Sequence, residues 1–425
     1  MQRREWIKAV AGAGAIAGLV GCATGKVTPS SAQVLVVGGG YGGATAAKYI
    51  RLFSRNTVDV VLVEPNHNFI SCPISNLVVG GVRRLADITT SYDGLRDRHG
   101  ITVVHDTVTA VDAARKSVRL ANGADIRYDT LVLSPGIELL FDAVQGLLQA
   151  NAEGQVLHAW KAGAQTEALF RQLQAMPDGG VFALAIPEAP YRCPPGPYER
   201  ASMVAAYLKK NKPRSKVLVV DANQDVTSKG PLFKKAWADL YPGMLEYRGQ
   251  HKLVGVDMPT RTLRFDFQDA VKADVLNVIP PMRAGALAVQ TGLANANGRW
   301  CHVDFLNFES TAAPGIHVLG DAIQTAPGMP KSGHMANNQA KVAAAAIVAR
   351  LKGLEVNTSP MLTNTCYSFV SPSEVIHVAS VHEYVAAEKT FKAVAGSGGV
   401  SAARSEQEAL YAMAWARNIW ADTLG

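Results

Sequence analysis

Gln33-Val34-Leu35-Val36-Val37 runs straight into Gly38-Gly39-Gly40-Tyr41-Gly42-Gly43 and on into Ala44-Thr45-Ala46-Ala47-Lys48-Tyr49-Ile50. The apolar run is a buried strand, and the Ala-rich stretch is a helix. Between them Gly38, Gly40 and Gly43 stand in G-x-G-x-x-G register. The first allows the tight turn, the second lets a pyrophosphate approach the backbone, and the third lets helix and strand pack closely. A phosphate there would meet the helix N-terminus. A bare glycine motif says little, but this one is followed by a second strand, Val58 to Val63, that ends in Glu64. A carboxylate at that point can accept hydrogen bonds from a ribose. The chain therefore begins a βαβ unit built for a dinucleotide.

Two later segments favour FAD over NAD. Asp129-Thr130-Leu131-Val132-Leu133-Ser134-Pro135-Gly136 is a strand and turn that returns to the nucleotide, and Gly315 to Ala322 is a strand ending in Gly320-Asp321. In flavoproteins built from two dinucleotide domains, the Asp at this point holds the ribityl chain. A helix is expected from about Met335 to Leu351, with Pro330-Lys331-Ser332-Gly333 at its entrance. Lys331 and that helix N-terminus would stabilise negative charge on a reduced flavin ring; the competing reading of Lys331 is a solvated surface lysine.

Residues from about 155 to 275 read as a second α/β unit, with strands Gly180–Ile186 and Lys216–Asp221 around a helix from Ala201 to Lys210. Its first strand leads not into a second glycine motif but into Pro187-Glu188-Ala189-Pro190-Tyr191-Arg192-Cys193-Pro194-Pro195-Gly196-Pro197. Proline removes amides and fixes φ where a pyrophosphate would sit, so NAD(P)H binding of the usual kind is not expected and electrons must come from another donor.

At 425 residues the chain can hold two or three domains. The net charge of +7 is carried in part by Arg3, Arg4, Lys8 and Lys26. Nothing resembles the dense basic, aromatic-laced surface of a nucleic-acid binder, and the histidines show no metal spacing. Arg3-Arg4 before a Gly/Ala-rich run from Ala9 to Val20 reads as a twin-arginine export signal, hence a periplasmic protein; the run is too short to span a bilayer comfortably. Leu19-Val20-Gly21-Cys22 also has the form of a lipobox, which would acylate Cys22 and tether the protein. Four further cysteines remain: Cys72, Cys193, Cys301 and Cys366. An oxidising compartment favours a disulfide among them. Cys301 reads as a small buried hydrophobe.

Several segments together resemble the flavoprotein subunit of flavocytochrome c sulfide dehydrogenase. They include Val36–Gly40 with Gly42–Ile50, Tyr92–Arg96, Pro135–Glu138, His158–Gly163, Arg192–Ala201, Ile279–Gly285, Pro330–Gly333 and Asn364-Thr365-Cys366-Tyr367-Ser368. The chain departs from the family's pattern at Pro73 and at His334. The resemblance implies that Cys193 and Cys366 form a redox-active disulfide beside the flavin. It also implies that Cys72 forms a thioether to the flavin and that Glu199 handles a proton near the disulfide; the bland alternative for Glu199 is a carboxylate at a helix N-terminus.

The expected fold class is α/β: two Rossmann-like dinucleotide-binding-type domains and a C-terminal α+β interface domain. The signal occupies 1–32, the FAD-binding domain 33–145 and 286–358, the degenerate NAD-type domain 146–285, and the interface domain 359–425. The expected activity is oxidation of sulfide to sulfur or polysulfide, with electrons passed to a cytochrome c subunit. No C-x-x-C-H occurs in the chain, so the haem is expected on that partner. The alternatives are a sulfide:quinone oxidoreductase, which would need a membrane-inserting helix pair, and a non-turnover accessory flavoprotein that exchanges thiols with a sulfur-oxidising partner. The apolar-rich helix from Ala409 to Trp420 is read as core packing ahead of a docking face.

Overall fold

The computed structural model describes Pro29 and residues 31–425. The expected export signal at Arg3 and Arg4, and Cys22 with its lipobox, lie outside the described residues. The chain opens on Ser31–Val37 (β1), turns through the glycines into Tyr41–Phe53 (α1), and continues through Val60–Val63 (β2), Ser75–Val79 (α2), Thr102–Val104 (β3) and Asp125–Leu133 (β4). Then follow Val181–Ile186 (β5), Gly196–Asn211 (α3), Lys216–Asp221 (β6), Gly230–Leu240 (α4), Leu245–Arg248 (β7) and Val275–Val278 (β8). Ile316–Val318 (β9), Gly333–Leu351 (α5), Met361–Phe369 (β10), Val375–Val385 (β11), Thr390–Ala393 (β12) and Glu406–Leu424 (α6) complete the elements used below.

The first sheet is parallel at its centre, in the order β9-β4-β1-β2-β3, with Leu35 beside Val61 and Leu131. Its inner strands read as unbroken apolar runs because both of their faces are buried. Val34, Leu35 and Val36 are wholly buried, each contributing roughly 1.5–3 kcal/mol of transfer free energy. On one face α1 lies against α5, and small residues bring the two backbones close: Ala44, Ala46 and Ala47 from one, Ala336, Ala340 and Ala343 from the other.

The second sheet is a four-stranded parallel unit, β7-β6-β5-β8. The C-terminal part is an antiparallel β10-β11-β12 meander with α6 packed on it. The α/β fold class is thus as expected, with a C-terminal α+β unit after the two parallel sheets. The carboxyl ends of β1, β4 and β9 converge, which is where an open parallel sheet binds its ligands.

Candidate functional site

Gly38 has φ of +96°, and a Cβ there would stand 2.3 Å from the Ser134 carbonyl oxygen. A Cβ on Gly43 would stand 1.8 Å from the Gly38 carbonyl oxygen, so α1 can start this close to β1 only with glycine. Gly40 and Gly136 differ: a Cβ on either would meet nothing within 4 Å, because both border a cavity of about 1290 Å³ measured out to its open mouth. Asp321 lies on the same wall. Its Oδ1 is buried without a partner, and burial pushes its carboxyl up, against the pull of Arg192 and Lys331. A buried carboxylate oxygen without a donor is costly, and a ligand hydroxyl would satisfy it. Gly333 and His334, at the N-terminus of α5, also face the cavity. Open backbone, an orphaned acceptor and two helix N-termini fit an FAD.

Glu64 is engaged by the protein itself. Its Oε2 accepts from Gly39 N at 2.7 Å, and Oε1 accepts from Asn66 N at 2.9 Å and Nδ2 at 2.5 Å. It braces the glycine turn, and Oε2 keeps a lone pair for an outside donor.

Lys331 requires a correction. Its ammonium does not reach the cavity: Nζ donates to the carbonyls of Asp321 (3.0 Å) and Ile323 and sits 3.7 Å from the centre of the Trp300 ring. Nor is it a solvated lysine, being 4% exposed; burial lowers it to about 7. What Lys331 gives the site is its backbone, whose carbonyl accepts from Cys193 N at 2.8 Å.

Cys72, Cys193, Glu199 and Cys366 all line this one cavity, though they come from three widely separated segments. Cys193 holds φ of +57° in the turn between β5 and α3. That turn leaves no space for a side chain at Gly196, whose Cβ would lie 2.9 Å from Cys193 Sγ and 2.8 Å from the Trp160 ring. Cys366 comes from the middle of β10, and its Sγ receives Asn364 Nδ2 at 3.4 Å. Cys193 and Cys366 both carry free thiols, each held by its own segment. Burial raises both thiols above their usual range, and the charge of Cys366 raises Cys193 further. Cys72 Sγ accepts from Ala162 N at 3.5 Å. Cys301 is fully buried, as read.

Glu199 is in the first turn of α3 but is no exposed cap residue. It is 7% exposed, and its two oxygens accept from Asn76 Nδ2 at 2.7 Å and Phe369 N at 2.9 Å. Burial raises its carboxyl, those bonds opposing the rise. A carboxyl so raised keeps its proton to higher pH than an exposed glutamate does, which suits a group that takes up and releases a proton.

Several cavity residues have no role assigned from the sequence. Arg192 adjoins Cys193 and donates to the Trp160 carbonyl; an arginine beside the cysteine was the available signal. His334 accepts from Thr365 N at 2.9 Å, and burial lowers it to about 4, so it is neutral. Arg200 lies beneath the floor, bonded to Asn76, Asn277 and the carbonyls of His158 and Ala159.

The second sheet is furnished differently at the corresponding places. Asp221 ends β6, as Glu64 follows β2, yet its carboxylate accepts from Tyr198 (2.8 Å), Tyr247 (3.0 Å) and Asn223 (2.7 Å) and is wholly buried. Where a ribose would bind there are tyrosines, and where a pyrophosphate would bind there are prolines and Cys193.

A dinucleotide cradle opposite a pair of thiols defines a flavoprotein oxidoreductase of the disulfide type. Residues 32–174 match the family model for pyridine nucleotide-disulphide oxidoreductases. Residues 166–280 match the central domain of the sulfide dehydrogenase (flavocytochrome c) flavoprotein chain, and residues 358–424 match the flavin-binding domain of flavocytochrome c sulphide dehydrogenase. The chain is 26% identical over 352 residues to a mitochondrial sulfide:quinone oxidoreductase of Dictyostelium discoideum, covering 81% of this chain and 76% of that one. Over 46 residues it is 52% identical to the sulfide dehydrogenase flavoprotein chain of Chlorobaculum thiosulfatiphilum, covering 11% of this chain and 94% of that sequence. The sulfide:quinone oxidoreductase of Aquifex aeolicus shares the fold, with a TM-score of 0.76 at 17% identity over 92% of this chain and 91% of that one.

Proposed function

We propose that this chain is the flavoprotein of a sulfide dehydrogenase, oxidising hydrosulfide to sulfur or polysulfide through Cys193 and Cys366 and passing electrons to a cytochrome c. The observation that carries the reading is the presence of both thiols on the cavity wall that also holds Asp321 and the glycine turn. Bound FAD supplies a two-electron acceptor that returns electrons singly. The sulfur steps belong to the protein. Hydrosulfide attacks one sulfur of the oxidised Cys193–Cys366 pair, breaking the S–S bond and leaving a persulfide and a thiolate. A second hydrosulfide removes the outer sulfur as disulfane and leaves the dithiol. Two electrons then leave the dithiol as its S–S bond reforms. Overall, two hydrosulfides give one disulfane anion, one proton and two electrons. Glu199 is placed to take that proton.

Cys193→Ser should abolish bleaching of the flavin by sulfide in anaerobic rapid mixing; undiminished bleaching overturns the reading. The acceptor is decided by supplying flavin-loaded protein with sulfide and either a cytochrome c or a ubiquinone analogue. The quinone reading is supported by the relatives matched over 81% and 71% of this chain that are sulfide:quinone oxidoreductases. We further propose a thioether from Cys72 to the flavin and export to the periplasm by the twin-arginine route, with acylation of Cys22 if the lipobox is read. Flavin fluorescence on a denaturing gel and the mass of the mature N-terminus test these three points.

A further inference from the structure

Lys229 has no part in the sulfur steps above. It precedes α4 with φ of +56°, a region costly for a residue other than glycine and one that clusters at functional sites. It is 7% exposed. From the second α/β unit its side chain reaches into the C-terminal meander, where Nζ donates to the Cys366 carbonyl at 2.9 Å and to Ser368 Oγ at 2.8 Å. A separate line of bonds holds the same cysteine: Ser332 Oγ to Asn364 Oδ1 at 2.7 Å, and Asn364 Nδ2 to Cys366 Sγ at 3.4 Å.

The charges around Lys229 are Cys366, Glu199, Cys193 and Glu408. Burial lowers its ammonium to about 8, so it remains mostly charged at neutral pH. The thiols are buried groups whose ionisation burial opposes and Glu199 opposes further. Lys229 pulls both down; Arg192 acts with it on Cys193, and Asn364 and Ser332 act with it on Cys366.

We propose that Lys229 is a positioning residue for the thiol pair: it clamps the Cys366 strand and supplies the positive charge against which a Cys366 thiolate forms, the thiol proton leaving to water at the cavity mouth. The purpose of such a thiolate rests on the sulfide reading, but its existence does not, and the test avoids sulfide. Flavin-loaded, dithiothreitol-reduced protein is labelled with methyl methanethiosulfonate across a pH series, and each cysteine is followed by peptide mass. Cys366 should label faster than Cys193 and Cys301 at about pH 8. Lys229→Met should slow Cys366 labelling on the order of ten-fold there, as one unit in the thiol pKa implies, and Lys229→Arg should restore most of it.

An unchanged pH profile in Lys229→Met overturns the proposal. So does equal slowing in both variants with no shift of the profile, which would make Lys229 a merely structural clamp. If Lys229→Met does not fold, the wild-type order decides: Cys366 slower than Cys193, or unlabelled up to about pH 10, overturns it. Labelling as expected in protein whose flavin sulfide cannot bleach would sink the sulfide reading and leave this one standing.

Discussion

Asp321 is a carboxylate in want of a donor. It stands on the cavity wall with Oδ1 buried and unpartnered, a cost to the flavin-free protein that a ligand hydroxyl removes. Asp321→Ala should therefore weaken FAD binding by ten-fold or more, the loss of a charged hydrogen bond being about 1.5–3 kcal/mol. The same change should leave the melting temperature of flavin-stripped protein unchanged or higher. Flavin fluorescence titration and differential scanning fluorimetry read the two quantities, and an unaltered affinity would remove Asp321 from the cradle. Lys331 makes the opposite kind of prediction. Its folded pKa is lowered by burial to about 7 from 10.5, so between those values the unfolded chain binds more protons, and stability from this group rises with pH. The penalty of its buried charge is full below about pH 7. Lys331→Met should flatten stability against pH over that window, by at most about 1.4 kcal/mol per unit, seen as a difference in urea midpoints between variant and wild type. The thiols oppose the trend, but they are present in both proteins and cancel.

At the scale of the element, several segments are specified by their own residues. The glycine turn, β5, β6 and the helix after Pro330 are set by neighbouring residues, and their bounds agree within a few positions. α5 starts at Gly333, two residues before the expected Met335, because Ser332 caps it, its Oγ accepting from Met335 N at 3.1 Å. Ser332→Ala should cost about 1 kcal/mol, a fall in melting temperature of roughly 2 °C for a chain this large, measured by calorimetry. The meander was not anticipated strand by strand. β10 reads Met361-Leu-Thr-Asn-Thr-Cys-Tyr-Ser-Phe369, and its alternation dissolves into half-buried positions at Thr365, Cys366 and Tyr367. Those residues face a cavity instead of solvent or core, so polarity along the strand carries no period-two signal. Lys331 was misread for a related reason. A lysine beside a helix entrance looks like a ligand for negative charge, and nothing local announces that Trp300 and two carbonyls will hold it. Asn76 meets Glu199 and Arg200 only through the packing of α2 on α3, which no short window contains.

At the scale of the whole molecule, the cavity is closed by three parts of the chain, and the last helix holds them together. Trp415 of α6 lines the cavity, while the end of α6 is fastened to the first α/β unit through Asp422. Its carboxylate accepts from Tyr49 at 2.6 Å and Asn337 at 2.8 Å and pairs with Lys341 at 2.7 Å. Burial alone would raise this carboxyl, but those partners outweigh it and hold it low. A carboxyl lowered on folding stabilises above its unfolded pKa, and that contribution is lost as pH falls through the folded value. Two consequences follow for α6. Acidification below about pH 4 should speed amide exchange across Glu406–Leu424 before it does so in β1 or β4. Asp422→Ala should produce the same speeding at neutral pH and, by loosening the wall that carries Trp415, quicken release of FAD several-fold. Hydrogen-exchange mass spectrometry and the rate of flavin loss on dilution measure both. Exchange in α6 that ignores both acid and the mutation would show that this helix is held by its apolar face alone, through Ala412, Ala416 and Ile419, and that the cavity does not depend on its polar end.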